Sequence, residues 1–109
     1  MRKYLFVYFL LLSSGAMCAD IAFTFDDVPT EDSSIMTGSE RTEHIIDGLS
    51  SSLVPDAIFF VTTKGINDIS KKRLNRYIQS GYHLGNHSHD HLSANKSSPK
   101  EFMTDVYEA

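Results

Sequence analysis

The feature that most constrains the fold is an alternation of β-type segments with segments of helical periodicity. Residues 21–25 (IAFTF) and 57–61 (AIFFV) are short and mostly apolar, and residues 82–86 (YHLGN) form a third short segment of this type. Between successive segments, apolar residues recur at helical intervals. Apolar strands that alternate with amphipathic helices indicate a parallel sheet with right-handed crossovers. We therefore predict an α/β fold of parallel β/α units.

The first intervening helix is predicted from its cap and its apolar face. Thr37 and Glu40 have the spacing of a capping box, and the helix should run to about Leu53. Its apolar positions are Ile45, Ile46 and Leu49.

The second helix is predicted in the same way. Asp68 or Ser70 is expected to cap its start, and Gly81 follows its end. Its apolar face is predicted to contain Leu74, Tyr77 and Ile78.

A third helix begins near the end of the chain. Ser98, Pro99 and Glu101 supply a capping serine, a proline at the first helical position and the glutamate of a capping box. Apolar candidates on this helix are Phe102, Met103, Val106 and Tyr107. Because three parallel strands followed by a helix that has just begun form an unfinished architecture, we expect residues 20–109 to be the N-terminal part of a larger domain.

The first nineteen residues are predicted to be a secretory signal peptide. Arg2 and Lys3 precede an apolar run over residues 4–12, and small residues follow up to Ala19. The run is too short to cross a bilayer, so we expect cleavage after Ala19 or Ala16 and no stable membrane anchor. The alternatives are a buried N-terminal strand or helix, or a lipoprotein acylated on Cys18. The mature protein is thus expected to be exported, as a periplasmic, cell-wall-associated or secreted protein.

Charge and cysteine content exclude two classes of protein. Loss of Arg2 and Lys3 with the signal changes the formal charge from −4 to −6, and the one basic run, residues 71–73, is expected to be a solvated helix face. An acidic chain without basic clusters does not predict nucleic-acid binding. With Cys18 as its single cysteine, the exported part has neither a disulfide framework nor a cysteine-based metal site.

Candidate site residues follow the first and third predicted strands. Asp26 and Asp27 come after the first strand, and His87 and His91 begin where the third ends. The carboxyl ends of parallel strands meet at one edge of a sheet, where ligands gather. One helical turn would place His87 and His91 on the same face, while His89 would point elsewhere. A histidine-rich storage tract or an ordinary polar loop is the alternative.

Two imidazoles and the Asp27 carboxylate would form a metal site with open coordination positions. A divalent cation there would acidify a water molecule and polarise a carbonyl group. Adjacent side chains on an extended segment point in different directions. Asp26 would therefore be free to act as a general base.

Residues 24–27 (TFDD) and 87–91 (HSHDH) resemble the first two motifs of the polysaccharide deacetylase family, the NodB-homology domain of carbohydrate esterase family 4. Residues 81–86 (GYHLGN) also resemble the residues that precede the second motif in this family. The resemblance covers essentially all of the mature chain and about the first half of the family's domain. It implies the N-terminal portion of a distorted (β/α) barrel.

The resemblance also implies an activity and a role for each site residue. Asp26 would be the catalytic base, and Asp27, His87 and His91 would hold one divalent ion, most commonly Zn²⁺. The reaction implied is hydrolysis of acetyl groups on an acetylated polysaccharide, which is the expected partner of the protein.

Two departures from the family pattern matter. Val28-Pro29 stands where many members have Gly-Pro, which should alter the loop and leave the ligands in place. The family's later motifs supply the groove wall and a histidine general acid, and no residues for them follow His91, so the chain alone is expected to be inactive. The alternatives are a non-catalytic metal-binding remnant and a cyclic-amide hydrolase of the same fold.

Other polar residues are expected to be ordinary. His44 and His83 are interpreted as ordinary histidines, either at the surface or hydrogen-bonded within the fold. Asn86 and Asn95 lie in N-glycosylation triplets, but a glycan on Asn86 would crowd the proposed metal site.

Overall fold

The computed structural model describes residues 20–109, and the predicted signal peptide lies outside these residues. Three strands and three helices alternate along this part of the chain. They are β1 (Thr24–Val28), α1 (Gly38–Ser51), β2 (Ile58–Val61), α2 (Asp68–Gln79), β3 (His83–Asn86) and α3 (Pro99–Tyr107). Within the described residues, no helix combines the length and the apolar character needed to cross a membrane.

The strands form a parallel sheet in the order β1-β2-β3. Strands that follow one another in the chain are therefore neighbours in the sheet, each connected to the next by a helix. This arrangement confirms the predicted α/β class of parallel β/α units.

One face of the sheet packs against both α1 and α2. The ring of Phe59, which is completely buried, stacks between Phe25 at 4.8 Å and Tyr77 of α2 at 3.8 Å between centroids. Since β2 is the central strand, its inward side chains join both helices in one core. The buried members are Val28, Ile46, Leu49, Ala57, Phe59, Val61, Leu74, Tyr77 and Tyr82.

The opposite face of the sheet is less covered. Ile58 is 37% exposed and Phe60 is half-buried, and a Cβ on Gly85 would lie 2.6 Å from the Phe60 ring. The Phe60 ring thus lies over the β3 backbone, where only glycine leaves room. The short, mostly apolar sequence of the first strand, residues 21–25, predicts cover on both of its faces. Among the described residues that expectation is wrong, because the helices that pack on the sheet lie on one side.

The helix starts agree with prediction at two of three positions. Complete capping boxes link Thr37 with Glu40 at α1 and Ser98 with Glu101 at α3. At α2 the prediction of Asp68 or Ser70 is wrong. Asn67 is the cap, because its side-chain oxygen accepts hydrogen bonds from the backbone N–H groups of Ile69 and Ser70.

Two side chains of α2 differ from expectation. Ile78 was predicted on the apolar face but is 52% exposed, whereas Arg73 from the basic run is buried. Arg73 donates from Nε to the buried hydroxyl of Thr42 on α1. Its guanidinium also occupies the space that a Cβ on Gly38 would need. Only the exposed part of residues 71–73 is therefore a solvated face.

The first strand begins three residues later than predicted, at Thr24 instead of Ile21, and it continues through both aspartates to Val28. Asp27 has a left-handed backbone, with φ of 57°, and the pairing with β2 is irregular between Phe25 and Val28. This bulge keeps Val28 in register with Val61. The strand does not stop at the aspartates, because pairing with β2 resumes after them.

Candidate metal centre

Three side chains from two strand ends converge at one edge of the sheet. The Nε2 atoms of His87 and His91 are 3.1 Å apart, and they lie 3.4 Å and 3.5 Å from Oδ1 of Asp27. These are the three predicted ligands, and the structure brings all of them together. Asp27 and His91 are exposed to solvent, and His87 is half-buried.

The donor set fits a divalent cation. Ligand atoms about 2.0–2.2 Å from a tetrahedral zinc ion are roughly 3.4 Å from one another. The observed separations of 3.1, 3.4 and 3.5 Å match the edges of such a tetrahedron. Two imidazoles and one carboxylate also leave positions free for water and substrate, which is typical of catalytic sites.

His87 and His91 approach each other through a loop and not through the helical turn that the spacing predicted. We call residues 87–92 the histidine loop; none of its residues is helical. Ser88 and His91 adopt left-handed backbone conformations, with φ of 66° and 56°. Together with Asp27, three non-glycine residues of the site have a conformation that costs of order 1–3 kcal/mol each. Such strain persists only where surrounding contacts enforce it.

The histidine loop is held by a continuous set of backbone hydrogen bonds. The N–H of His87 donates to the Val61 carbonyl of β2 at 2.9 Å. The N–H of Ser88 donates to the Asn86 side chain at 2.8 Å, and that of His91 to the Ser88 hydroxyl at 3.1 Å. The three remaining amides of the loop donate to a residue of α3.

That residue is Asp105, which is 3% exposed and which the sequence analysis missed. Its two carboxylate oxygens accept from the N–H groups of Asp90 and Leu92, and its backbone carbonyl accepts from His89. Burial raises the pKa of Asp105, but the hydrogen bonds, first those from Asp90 and Leu92, leave that pKa below its ordinary value.

A signal for Asp105 was present in the sequence. It lies on the same face of α3 as the half-buried Phe102 and next to Val106, at a position where helical periodicity calls for an apolar side chain. A carboxylate at such a position must find hydrogen-bond donors, because burying it unpaired is costly.

His89 points away from the cluster, as predicted. Its Nδ1 lies 2.8 Å from the hydroxyl of Thr63, in the segment after β2. The backbone N–H groups of Thr63 and Lys64 donate to the carbonyls of Ser88 and His89. These hydrogen bonds attach the histidine loop to the segment that connects β2 with α2.

An exposed ion pair reinforces this tie. Lys64 Nζ lies 2.6 Å from the Asp90 carboxylate and donates a hydrogen bond to it. This hydrogen bond raises the pKa of Lys64.

The remaining candidates lie outside the cluster. Asp26 is exposed on β1, one residue before the ligand Asp27. His83 lies at the start of β3 and pairs with Asp56 at 3.2 Å, and His44 is exposed on α1. Neither His44 nor His83 belongs to the ligand set, as expected.

The side-chain amide of Asn86 forms hydrogen bonds through both of its ends, one with the histidine loop and one with α3. Besides accepting from Ser88, it donates from Nδ2 to the Val106 carbonyl at 2.9 Å. A glycan on this nitrogen would have to disturb that contact.

An open cavity of about 360 Å³ adjoins the cluster. Its walls come from the histidine loop and from α3, and its lining is Asn86, His87, Ser88, His91, Leu92, Phe102 and Val106. Two of the three predicted ligands, His87 and His91, therefore share one surface depression with three apolar side chains.

The chain matches the family model for polysaccharide deacetylase over residues 15–109, and it belongs to that family. The structure resembles that of the peptidoglycan deacetylase PdaC from Bacillus subtilis, with a TM-score of 0.61 and 29% sequence identity. The match covers 80% of this chain and 38% of PdaC, so the chain spans less than half of that protein. No curated protein sequence matched the chain.

Proposed function

We propose that this protein contributes the metal and base groups of a hydrolase that removes acetyl groups from an acetylated polysaccharide. The observation that carries the proposal is the triangle formed by Asp27, His87 and His91, with ligand atoms 3.1–3.5 Å apart. Membership of the polysaccharide deacetylase family supports the substrate class. Because the similar structure is that of a peptidoglycan deacetylase, peptidoglycan is the first substrate to test.

The proposed reaction is hydrolysis of an acetamide on a sugar. Asp27, His87 and His91 would hold one divalent ion, and we propose Zn²⁺ because imidazole nitrogen and carboxylate oxygen are common zinc ligands. When bound, such an ion polarises a carbonyl group and acidifies water. The rest of the site must then position the substrate and move protons.

Asp26 is the proposed general base. It is adjacent to the ligand Asp27 and exposed, so its carboxylate is accessible to a water molecule. It would accept a proton as the water oxygen attacks the acetyl carbon. When the C–N bond then breaks, the acetyl group leaves with the water oxygen as acetate, and the sugar nitrogen becomes an amine by taking up one proton, which balances the proton that Asp26 took from the water.

The test has a binding part and an activity part. In equilibrium dialysis with elemental analysis, we expect about one Zn²⁺ per wild-type chain and a sharp loss in Asp27→Ala and His87→Ala, while His83→Ala is unchanged. His83→Ala is a matched control because it removes an imidazole from the same strand region outside the cluster. Equal metal content in all four proteins would refute the ligand assignment.

Activity should be measured on the native protein purified from its producing cells. Metal-dependent release of acetate from peptidoglycan or another N-acetylated glycan is the expected result. Metal binding without acetate release from any acetylated glycan would instead support the non-catalytic metal-binding alternative. Hydrolysis of cyclic amides without acetate release would support the third possibility.

We further propose that the protein is exported, on the basis of the predicted signal peptide. An acetylated cell-wall or extracellular glycan would be accessible to an exported enzyme. N-terminal sequencing of the native protein should find a start at Asp20 or at Met17, and a start at Met1 would contradict the proposal.

A further inference from the structure

We propose that Asp105 is a positioning residue, which holds the histidine loop in the conformation that brings His87 and His91 together. This inference rests on the metal site proposed above. Asp105 does not touch the ligand atoms described for that site. Its effect would be exerted through the backbone of the histidine loop.

The contacts of Asp105 surround His91 in the chain. One carboxylate oxygen accepts from Asp90, the residue before His91, and the other accepts from Leu92, the residue after it. The backbone carbonyl of Asp105 accepts from His89 at 2.9 Å. One residue of α3 thus fixes three of the six consecutive amides of the loop and brackets the second histidine ligand.

The chemistry of these contacts requires a carboxylate. Two N–H donors point at the two oxygens of one side chain, and an ionised carboxylate is acceptor-only. An amide of the same shape would direct an NH₂ group at one of the two donors. Hydrogen bonds to an ionised acceptor are also stronger than neutral ones. Asp105→Asn would therefore keep the volume of the side chain but lose one of its two hydrogen-bond acceptors.

The loop needs such support because its conformation is unfavourable on its own. Ser88 and His91 both have φ near 60°, which side-chain-bearing residues rarely adopt. The N–H of His91 itself donates to the Ser88 hydroxyl, so the two strained residues are linked. Contacts from outside the loop must then hold this turn, and Asp105 supplies the largest share of them.

A second tie from α3 acts in the same direction. Asn86, at the end of β3, donates to the carbonyl of Val106, the residue after Asp105. The histidine loop is therefore attached to α3 both at its entry and across its centre. A shift of α3 would move the histidine ligands relative to Asp27, which is on β1.

The test compares three variants with the wild-type chain. Asp105→Asn removes the paired acceptors with little change in shape, and Asp105→Glu keeps a carboxylate. Thr42→Val is the matched control, because Thr42 is also a buried polar residue but lies between α1 and α2, where it accepts from Arg73. All four proteins are kept at a temperature at which circular dichroism shows them folded.

Zn²⁺ affinity is the first readout, measured by competition with a chelator. We expect Asp105→Asn to raise the Kd at least about tenfold, as loss of groups that orient metal ligands does elsewhere. Thr42→Val should leave the Kd within about twofold of the wild-type value, even if it lowers the Tm as much as Asp105→Asn does. Asp105→Glu should recover part of the affinity. A Kd for Asp105→Asn within about twofold of wild type, or an equal change in Thr42→Val, would overturn the proposal.

Amide hydrogen exchange in the metal-free chain is the second readout. We expect the amides of Asp90 and Leu92 to be protected in wild type and Thr42→Val and to exchange much faster in Asp105→Asn. If wild type binds no Zn²⁺, the proposed function fails, and these exchange rates alone decide the role of Asp105. Equal exchange at both amides in all proteins would refute it. If Asp105→Asn does not fold, Asp105→Glu is compared with Thr42→Val: its longer side chain displaces the carboxylate, so the Asp90 and Leu92 amides should exchange faster than in Thr42→Val, and equal exchange would refute the proposal.

Discussion

At the scale of single residues, Asp26 and Asp27 show how two neighbouring carboxylates obtain different surroundings. Both side chains are exposed, but Asp27 has a left-handed backbone and its carboxylate lies within 3.5 Å of the imidazoles of His87 and His91, whereas Asp26 is outside that cluster. The bulge in β1 accompanies this separation, since the register is irregular between Phe25 and Val28. The local backbone therefore separates the proposed ligand, Asp27, from the proposed base, Asp26.

This difference predicts that the two aspartates can be separated by mutation. Asp27→Asn should weaken Zn²⁺ binding about tenfold or more, because it removes the one anionic ligand of the cluster. Asp26→Asn should leave the Kd within about twofold and remove acetate release by the native protein, because it removes the proposed base. Isothermal titration with Zn²⁺ and an acetate assay measure the two effects. If both variants lost metal equally, the two roles would not be separate.

The site residues were predictable to the extent that their chemistry is local in the sequence. Two aspartates and two histidines at predicted strand ends were sufficient to name the three groups that converge. The conformation of the loop was not predictable from a spacing of four residues, because a helical turn and a strained loop both bring such residues together. Helical periodicity marks Asp105 as a polar residue at an apolar position, but its partners are the backbone N–H groups of His89, Asp90 and Leu92, which no side-chain pattern reveals.

At the scale of elements, helix starts were more predictable than strand limits. The capping boxes at α1 and α3 depend on side chains three residues apart, so the sequence contains the whole interaction. A strand ends where its neighbour stops pairing with it, which is a non-local property. The first strand was accordingly displaced by three residues, and the second and third each began one residue later than predicted.

The capping box of α3 predicts that the stability of the first turn of this helix depends on pH. The hydroxyl of Ser98, and then its backbone N–H, donate to the Glu101 carboxylate and lower the pKa of Glu101. A lowered pKa stabilises the folded state above the ordinary glutamate value of about 4.3, and that stabilisation is lost as the pH falls through the lower folded value. Protection of the Phe102 amide against hydrogen exchange should decline over that acidic range.

Glu101→Gln should abolish this dependence at α3. Glu40→Gln is the matched control, because it alters the equivalent capping box on α1 and should leave the response of Phe102 unchanged. Protection factors relative to an unstructured peptide, measured from about pH 5 to pH 2, are the required data. The same acid response in wild type and Glu101→Gln would show that another group controls the start of α3.

At the scale of the whole molecule, the described sheet has a covered face and an open one. The progressive order β1-β2-β3 and the position of α1 and α2 on one side were predictable, because apolar strands and amphipathic helices alternate in the sequence. The exposure of the other face was not, because a continuous apolar strand indicates cover on both sides. Ile58 and Phe60 are apolar, yet Ile58 is 37% exposed and Phe60 is half-buried.

The open face predicts self-association of the processed chain that starts at Asp20. Exposed apolar area on a sheet favours contact between copies. Ile58→Glu should therefore reduce the concentration-dependent increase in sedimentation coefficient. Ile69→Glu is the control, because Ile69 is more exposed, at 64%, but lies on α2. A wild-type chain that remains monomeric at high concentration would contradict this prediction.

The hydrogen bonding of the histidine loop also limits which role the loop could have in the proposed hydrolysis. When water attacks a carbonyl, the oxygen of that carbonyl becomes an anion, and enzymes commonly stabilise it with backbone N–H groups. Every N–H from His87 to Leu92 already donates to a protein acceptor. In the proposed reaction the histidine loop would therefore supply imidazoles and not an oxyanion hole, and groups other than its backbone would stabilise the developing negative charge.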